Sequence, residues 1–231
     1  MYYTEREDYF NNRASKELEA IMEEIDDART NKECPNILEI GAGSGIVIKL
    51  LKRMWNNMGN SNSLKIKGID INKEAIELAR GRGEPVEFGN ALNTSFKNDE
   101  FDLVYGLYVI QDIGFPVKLI QECLRIARKV VLIFEQGVKC ETEPRKILSK
   151  SHKNLKQSTE QVVLNVENFK RFFSQIPNER HDIKKIYEFE KFNGKSEIYK
   201  VFIRKNTSSK SRMEVDKNGF SINRNSGGSS S

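Results

Sequence analysis

The chain has 231 residues, enough for one domain of ordinary size with extensions and too few for two full domains. Hydrophobic residues make up 38% and charged residues 31%, so a sizeable core fits under a well-solvated surface, and no apolar run approaches the ~20 residues that span a bilayer. The net charge of +5 invites a nucleic-acid partner. Its lysines and arginines, however, are mostly interleaved with acids, and the local excess sits after residue 139.

The first residues, MYYTEREDYFNNRAS, carry early acids and no apolar segment, so they do not read as a secretory signal. Cys34, Cys123 and Cys140 are an odd number without a C-x-x-C pair, which speaks against a disulfide framework and a zinc site. A reducing cytoplasm is the expected location, and no metal is expected.

Leu18, Ile21, Met22 and Ile25 recur at helical spacing and predict an amphipathic helix over residues 13–28. Cys34-Pro35 marks a break, because the residue before proline is biased away from helix. NILEI predicts a buried strand, SGIVIKLLKRMWNNM a helix starting inside a glycine turn, and GNSNS a loop. LKIKGIDI predicts the second strand, NKEAIELARGR a helix capped by Asn72, and PVEFGN a short third strand. FDLVYGLYVI predicts the fourth strand, FPVKLIQECLRIAR a helix and KVVLIFEQ the fifth strand. Such alternation calls for a parallel sheet covered on both faces.

Residues 141–177 predict helical segments with loops. IKKIYEFEKF and SEIYKVFIRK then flank Asn193-Gly194, a two-residue hairpin signal, so an antiparallel pair is expected to close the sheet. Residues 206–231 end in NRNSGGSSS with almost no apolar anchors. They predict a disordered tail or linker after a domain of residues 1–205.

The chemistry concentrates in ILEIGAGSGIV, where Gly41, Gly43 and Gly45 stand at alternate positions behind the first strand. Glycine supplies backbone angles closed to other residues, and the N–H groups at a helix start beside a strand end form a ligand crevice. The spacing is G-x-G-x-G, with Ile46 where a dinucleotide fingerprint needs its third glycine, which argues against NAD or FAD. Glu39, two residues before the first glycine, suits a ligand with a positive amino group better than a pyrophosphate.

Glu39-Ile40-Gly41-Ala42-Gly43-Ser44-Gly45 resembles motif I of the class I S-adenosylmethionine-dependent methyltransferases. GIDINKEAIELAR, with Asp70 at the strand end and Ile71 beside it, resembles the second motif. FGNA, containing Asn90 and Ala91, resembles the segment that meets the adenine, usually through an aspartate. TSFKNDEFDLVYGLYVIQDIG resembles the fourth strand and its loop, whose backbone lines the methionine end, here at Gly106. The ordered set covers residues 36–136.

The resemblance implies an α/β fold, a Rossmann-like three-layer sandwich. Its seven-stranded, mostly parallel sheet should run in the order 3-2-1-4-5-7-6 with one antiparallel strand. It implies S-adenosyl-L-methionine as cofactor, bound by Glu39, Gly41, Ala42, Gly43, Gly45, Asp70, Ile71, Asn90, Ala91 and Gly106. Asp70 would accept from both ribose hydroxyls. Asn90 would accept from the adenine amino group and donate to a ring nitrogen. Tyr2, Tyr3, Tyr9 and Phe10 resemble the aromatic N-terminal segment that folds over the cofactor in similar enzymes. Tyr108, Gln111, Asp112 and Glu135 stand near the reacting end, and no catalytic residue is assigned.

No N-P-P-Y or D-P-P-Y follows the fourth strand, where Gly106-Leu107-Tyr108-Val109 stands, which argues against nucleobase amine acceptors. No Pro-Cys pair supplies the nucleophile of carbon-5 cytosine methylation. A small-molecule, lipid or glycan acceptor is the first expectation. The rivals are an RNA or protein acceptor on the basic C-terminal half, an aminopropyltransferase, and a non-catalytic cofactor-binding module.

Overall fold

One seven-stranded sheet organises the chain. The structure, a computed structural model, describes residues 15–29, 34–113, 116–137, 146–148, 160–162, 166–173, 179–191 and 194–205. In chain order the elements are α1 (Ser15–Asp27), β1 (Ile37–Ile40), α2 (Ile46–Asn57), β2 (Ile66–Asp70), α3 (Lys73–Gly81), β3 (Val86–Phe88), β4 (Phe101–Leu107) and α4 (Val109–Asp112). They continue with α5 (Pro116–Ile126), β5 (Ala127–Gly137), β6 (Lys146–Leu148), β7 (Glu160–Val162), α6 (Val166–Phe173), β8 (Glu179–Lys191) and β9 (Gly194–Lys205).

The main sheet runs β3-β2-β1-β4-β5-β9-β8. Strands β1 to β5 pair in parallel, and β9 lies antiparallel to both β5 and β8. Counting only strands of this sheet, the order is 3-2-1-4-5-7-6 with one antiparallel strand, as expected. Of the predicted hairpin turn, Asn193 lies outside the described residues, while Lys191 and Gly194 pair across it. The aromatic segment before residue 15 and the tail after residue 205 also lie outside them.

Helices α1, α2 and α3 cover one face, where Ile21, Ile25, Ile48, Leu51 and Trp55 meet Leu103, Val131 and Ile133. Helices α5 and α6 cover the other, where Leu119, Ile120, Cys123 and Phe169 meet Leu38, Ile40, Val104 and Phe134. All four residues of β1 are buried, as a central parallel strand requires. Burial drives the Cys123 thiol far above its usual range, so it is an inert part of the core. Helix α1 is also bolted down by charge. Glu24 pairs with Lys200 at 2.9 Å, and Asp27 pairs with Lys129 and Arg204.

Three details depart from the sequence reading. Strand β4 stops at Leu107, because Tyr108 takes a left-handed φ of 62° and α4 begins after it. Helix α5 ends at Ile126, and Ala127 and Arg128, expected in the helix, already belong to β5. Residues 141–177 were expected to be helical, but β6 and β7 pair there as a separate two-stranded sheet, and among the described residues only α6 is helical. Strands of three residues are too short to show a period.

The loop leading to β4 is clamped onto α5. Glu122 accepts from the Thr94 N–H at 2.8 Å and its hydroxyl at 2.6 Å, while Arg125 donates to Glu122 and to the Phe96 carbonyl. The Arg125 guanidinium, and then the Thr94 donors, lower the Glu122 carboxyl from 4.5 to about 2. A carboxyl lowered by folding stabilises the fold above pH 4.5, and that contribution is lost as pH falls towards about 2. Glu122→Gln should therefore lower Tm at neutral pH by roughly 3–8 °C. The gap from wild type should close as pH falls through that window. Equal melting curves at pH 7 would refute the clamp.

Candidate functional site

The glycine turn is held from three sides. Ala42 donates its N–H to the Ile69 carbonyl at 3.1 Å, Gly43 donates to Asp70 Oδ2 at 2.7 Å, and Arg82 donates to the Ser44 carbonyl at 2.9 Å. Gly41, Gly43 and Gly45 all take positive φ, at 66°, 53° and 72°. Space is closed as well. A Cβ on Gly41 would lie 2.5 Å from Val109 Cγ2, and one on Gly45 would lie 2.8 Å from Glu84 Cβ. All three glycines thus have a backbone reason independent of any ligand, and Gly41 and Gly45 a steric one as well.

Asp70 stands at the carboxyl end of β2. Its Oδ2 takes the Gly43 N–H and its Oδ1 takes the Asn72 N–H at 2.8 Å. A carboxylate can accept about four hydrogen bonds, so capacity remains on both oxygens for a pair of hydroxyls. Asn72 caps α3 as predicted, its Oδ1 accepting from Glu74 and Ala75.

Around Asp70 the surface is unexpectedly apolar. Ile71 is 66% exposed and Phe88, at the end of β3, is 64% exposed. Two large apolar side chains in water beside a carboxylate suit a ligand with one polar edge and one flat apolar face. Asn90 is exposed, and its Oδ1 accepts from the Leu92 N–H at 2.9 Å, so it is the turn residue and its Nδ2 is the group that can donate to a ring. Ala91 is buried behind it.

Glu39 is only 2% exposed and sits in register with Tyr105 of β4. Burial first, and then the Glu39 charge, push the Tyr105 hydroxyl well above its usual 10, so it stays protonated. At the far end, a Cβ on Gly106 would lie 2.5 Å from Val109 Cγ1 and 2.9 Å from Ile40. Val109 thus fills the gap between Gly41 and Gly106. Gln111 brackets the end of β5, donating to the Glu135 carbonyl at 3.2 Å and accepting the Glu135 N–H at 3.1 Å. That pairing makes Gln111 a structural tie. Gly41, Gly43, Asp70, Ile71 and Asn90 therefore share one end of the sheet, with Gly106 beside Gly41 across Val109, whereas Glu39 lies inside it.

Two residues near this end escaped the sequence reading. Glu17 of α1 has no exposed surface, and its Oε1 accepts from the hydroxyls of Tyr108 and Tyr187, each at 2.6 Å. An acid four residues before Ile21, on the apolar stripe of a helix, was the available signal.

A three-layer α/β fold with this strand order, an acid at the second strand's end and a glycine turn facing it is the arrangement that the resemblance to class I methyltransferases implied. Residues 38–134 match the family described as the methyltransferase domain, and this segment of the chain is such a domain. Norajmaline N-methyltransferase of Rauvolfia serpentina is 29% identical over 140 residues, covering 57% of this chain and 41% of that protein. A crystal structure of a methyltransferase from Methanosarcina mazei superposes with a TM-score of 0.56 at 20% identity, over 78% of this chain and 96% of the other. A [4+2]-cyclase superposes with a TM-score of 0.59 at 12% identity, over 80% of each chain. The chain spans less than half the length of the curated relatives it matches. Among the described residues no cluster suits a metal ion, and no helix is long and apolar enough to cross a membrane.

The turn's mechanics can be tested apart from any ligand. Gly59 also takes positive φ, at 79°, but a Cβ there meets nothing within 4 Å. Gly59→Ala should cost only the left-handed penalty of about 1–2 kcal/mol. Gly41→Ala should cost roughly 1–3 kcal/mol more, since Val109 must move. Urea unfolding of both variants reads the difference, and equal losses would show that Val109 yields freely.

Proposed function

We propose that the chain transfers the methyl group of S-adenosyl-L-methionine to a small-molecule acceptor. The observation that carries this reading is Asp70, an acid with spare acceptor capacity between the glycine turn and the exposed Ile71 and Phe88. In that reading Asp70 holds the ribose hydroxyls, Ile71 and Phe88 cover the adenine, and Asn90 Nδ2 donates to a ring nitrogen. Gly41, Ala42, Gly43, Gly45 and Gly106 bring backbone against the methionine portion, and Glu39 supplies negative charge beneath its amino group.

The sulfonium is already activated, so the protein chiefly positions the acceptor and excludes water. A lone pair of the acceptor attacks the methyl carbon. The new bond forms as the carbon–sulfur bond breaks, and its electron pair returns to sulfur as a neutral thioether. The relative named for N-methylation supports a small acceptor. A lipid or glycan remains within the same chemistry, and a cytoplasmic location fits the free cysteines. Residues 1–205 form the working domain in this reading, and residues 206–231 a tail.

A second reading follows from the likeness to a cyclase, because one fold can host a different reaction. Calorimetric titration separates ligand classes. S-adenosylmethionine should bind and NAD should not. Asp70→Ala should weaken binding about five- to a hundredfold, the range for lost hydrogen bonds to a charged group. It also removes the Gly43 tie, so Ile71→Asp, at an exposed position, is the cleaner probe and should cost about tenfold without lowering Tm. Binding of NAD in place of S-adenosylmethionine would end this reading. Cofactor binding with no methyl transfer to any metabolite fraction would favour the second. Transfer that vanishes with added salt and needs RNA would point to a nucleic-acid acceptor.

A further inference from the structure

The exposed Ile71 and Phe88 are surfaces on which a flat base can lie, and neither can tell one purine from another. Phe88 stands in register with Asp70 across β2 and β3, so the two side chains leave the sheet on one face. Glu87 leaves on the opposite face with its register partner Ile69. The Gly89 N–H donates to the Asp70 carbonyl at 3.0 Å, which carries the chain across the end of β2 and sets Asn90 just beyond the acid. A base lying here must be read at its edge, by the polar side chains around Phe88.

Asn90 is fixed in a tight turn. Its Oδ1 accepts the Leu92 N–H at 2.9 Å, and its carbonyl accepts the Asn93 N–H at 3.0 Å. Of the two ends of a side-chain amide, a backbone N–H can pair only with the oxygen, so this bond decides which way the group faces. Nδ2 is what remains, on an exposed residue, and it can only donate. The charge beside Phe88 has the same polarity. The Lys73 ammonium lies 6.0 Å from the centre of the Phe88 ring, and among the described residues no acid pairs with it. Both groups bring donors to the base, and neither brings an acceptor.

We propose that this site reads its purine through donated hydrogen bonds, and so takes a 6-oxopurine nucleoside as readily as the 6-aminopurine of S-adenosylmethionine. This rests on the methyl-transfer reading above, with the base beside Asn90. A 6-aminopurine carries a donor at carbon 6 and acceptors on its ring nitrogens, whereas a 6-oxopurine carries an acceptor at carbon 6 and keeps the one at N7. The Asn90 Nδ2 finds a partner on either base, a ring nitrogen on the first and the oxygen or N7 on the second. A carboxylate in the same place would accept from a 6-amino group and repel a 6-oxygen. Unmatched polar groups of that kind are what let a site reject a close analogue. Asn90 is thus the residue that sets the base preference, and Lys73 adds positive charge that suits an oxygen at carbon 6.

The test is calorimetric titration of the full chain with S-adenosylhomocysteine, the product left after methyl transfer, and with S-inosylhomocysteine, its 6-oxo counterpart. Wild type should bind the two within about threefold of each other. Asn90→Asp keeps the turn, because a carboxylate oxygen still accepts the Leu92 N–H, and its Tm should stay within about 2 °C of wild type. That variant should shift the affinity ratio at least about tenfold towards the adenosyl compound. A wild-type preference for the adenosyl compound above about tenfold overturns the proposal and leaves the methyl-transfer reading standing. So does an unchanged ratio in Asn90→Asp. A wild-type chain that binds neither compound refutes the methyl-transfer reading itself, and this proposal with it.

Discussion

The hydrogen bond from the Gly43 N–H to Asp70 joins the two motifs on which the site depends. Gly43 belongs to the turn that follows β1, and Asp70 ends β2, so one 2.7 Å contact fixes the turn against the neighbouring strand. The backbone bond from Ala42 to Ile69 and the Arg82 contact at Ser44 repeat the tie on either side. A carboxylate is apt for the task, since an anion accepting a backbone N–H makes a stronger bond than a neutral group would. It also keeps the acid ordered before any ligand arrives, which lowers the entropy lost on binding.

Around that contact the sheet distributes its tasks by strand. Strands β1 and β2 carry the turn and the acid, β3 contributes the exposed Phe88, and β4 ends in Gly106 and Leu107 with Tyr108 just beyond. The antiparallel pair β8–β9 brings Tyr187 to the same end from the other side of the sheet's order. Helix α1 then ties these parts together by charge. Its acids reach Lys129 on β5 and Lys200 and Arg204 on β9, while Glu17 reaches the two tyrosines. Lys129 and Lys200 are nearly buried; loss of Asp27 would strip Lys129 of its acid and leave a costly buried charge, whereas Lys200 reaches both Glu24 and, at 3.7 Å, Glu23.

Much of this was legible in the chain. Alternating apolar runs and turn residues gave every strand of the main sheet, and Asn72 gave a helix start, because these signals act within a few residues of one another. What stayed hidden depends on distant contacts. The closed space at Gly41 comes from Val109, and the spare capacity of Asp70 could be counted only after its two N–H partners were known. The role of Gln111 needed the end of β5. The bulge in β8, where register shifts between Lys185 and Tyr187, left no mark, since Ile183 and Ile186 stand three apart and take opposite faces, as in a regular strand. The left-handed Tyr108 left none, as a tyrosine in an apolar run reads as strand.

The same bulge bears on how the molecule behaves in a crowd of its own copies. A sheet edge offers unpaired backbone groups to any passing strand, and long flat edges are where chains stick together. Here one edge is β3, only three residues long. The other is β8, thirteen residues long, which would be the hazard were it flat. It is kinked at the register break and carries the exposed Asp182, Lys184, Lys185 and Glu188 around it. A second strand laid along β8 would have to match the kink and bring its own charges against these. The irregularity that turns Tyr187 inward therefore also guards the longer edge against strand addition, so smoothing the bulge would leave the protein more prone to aggregate.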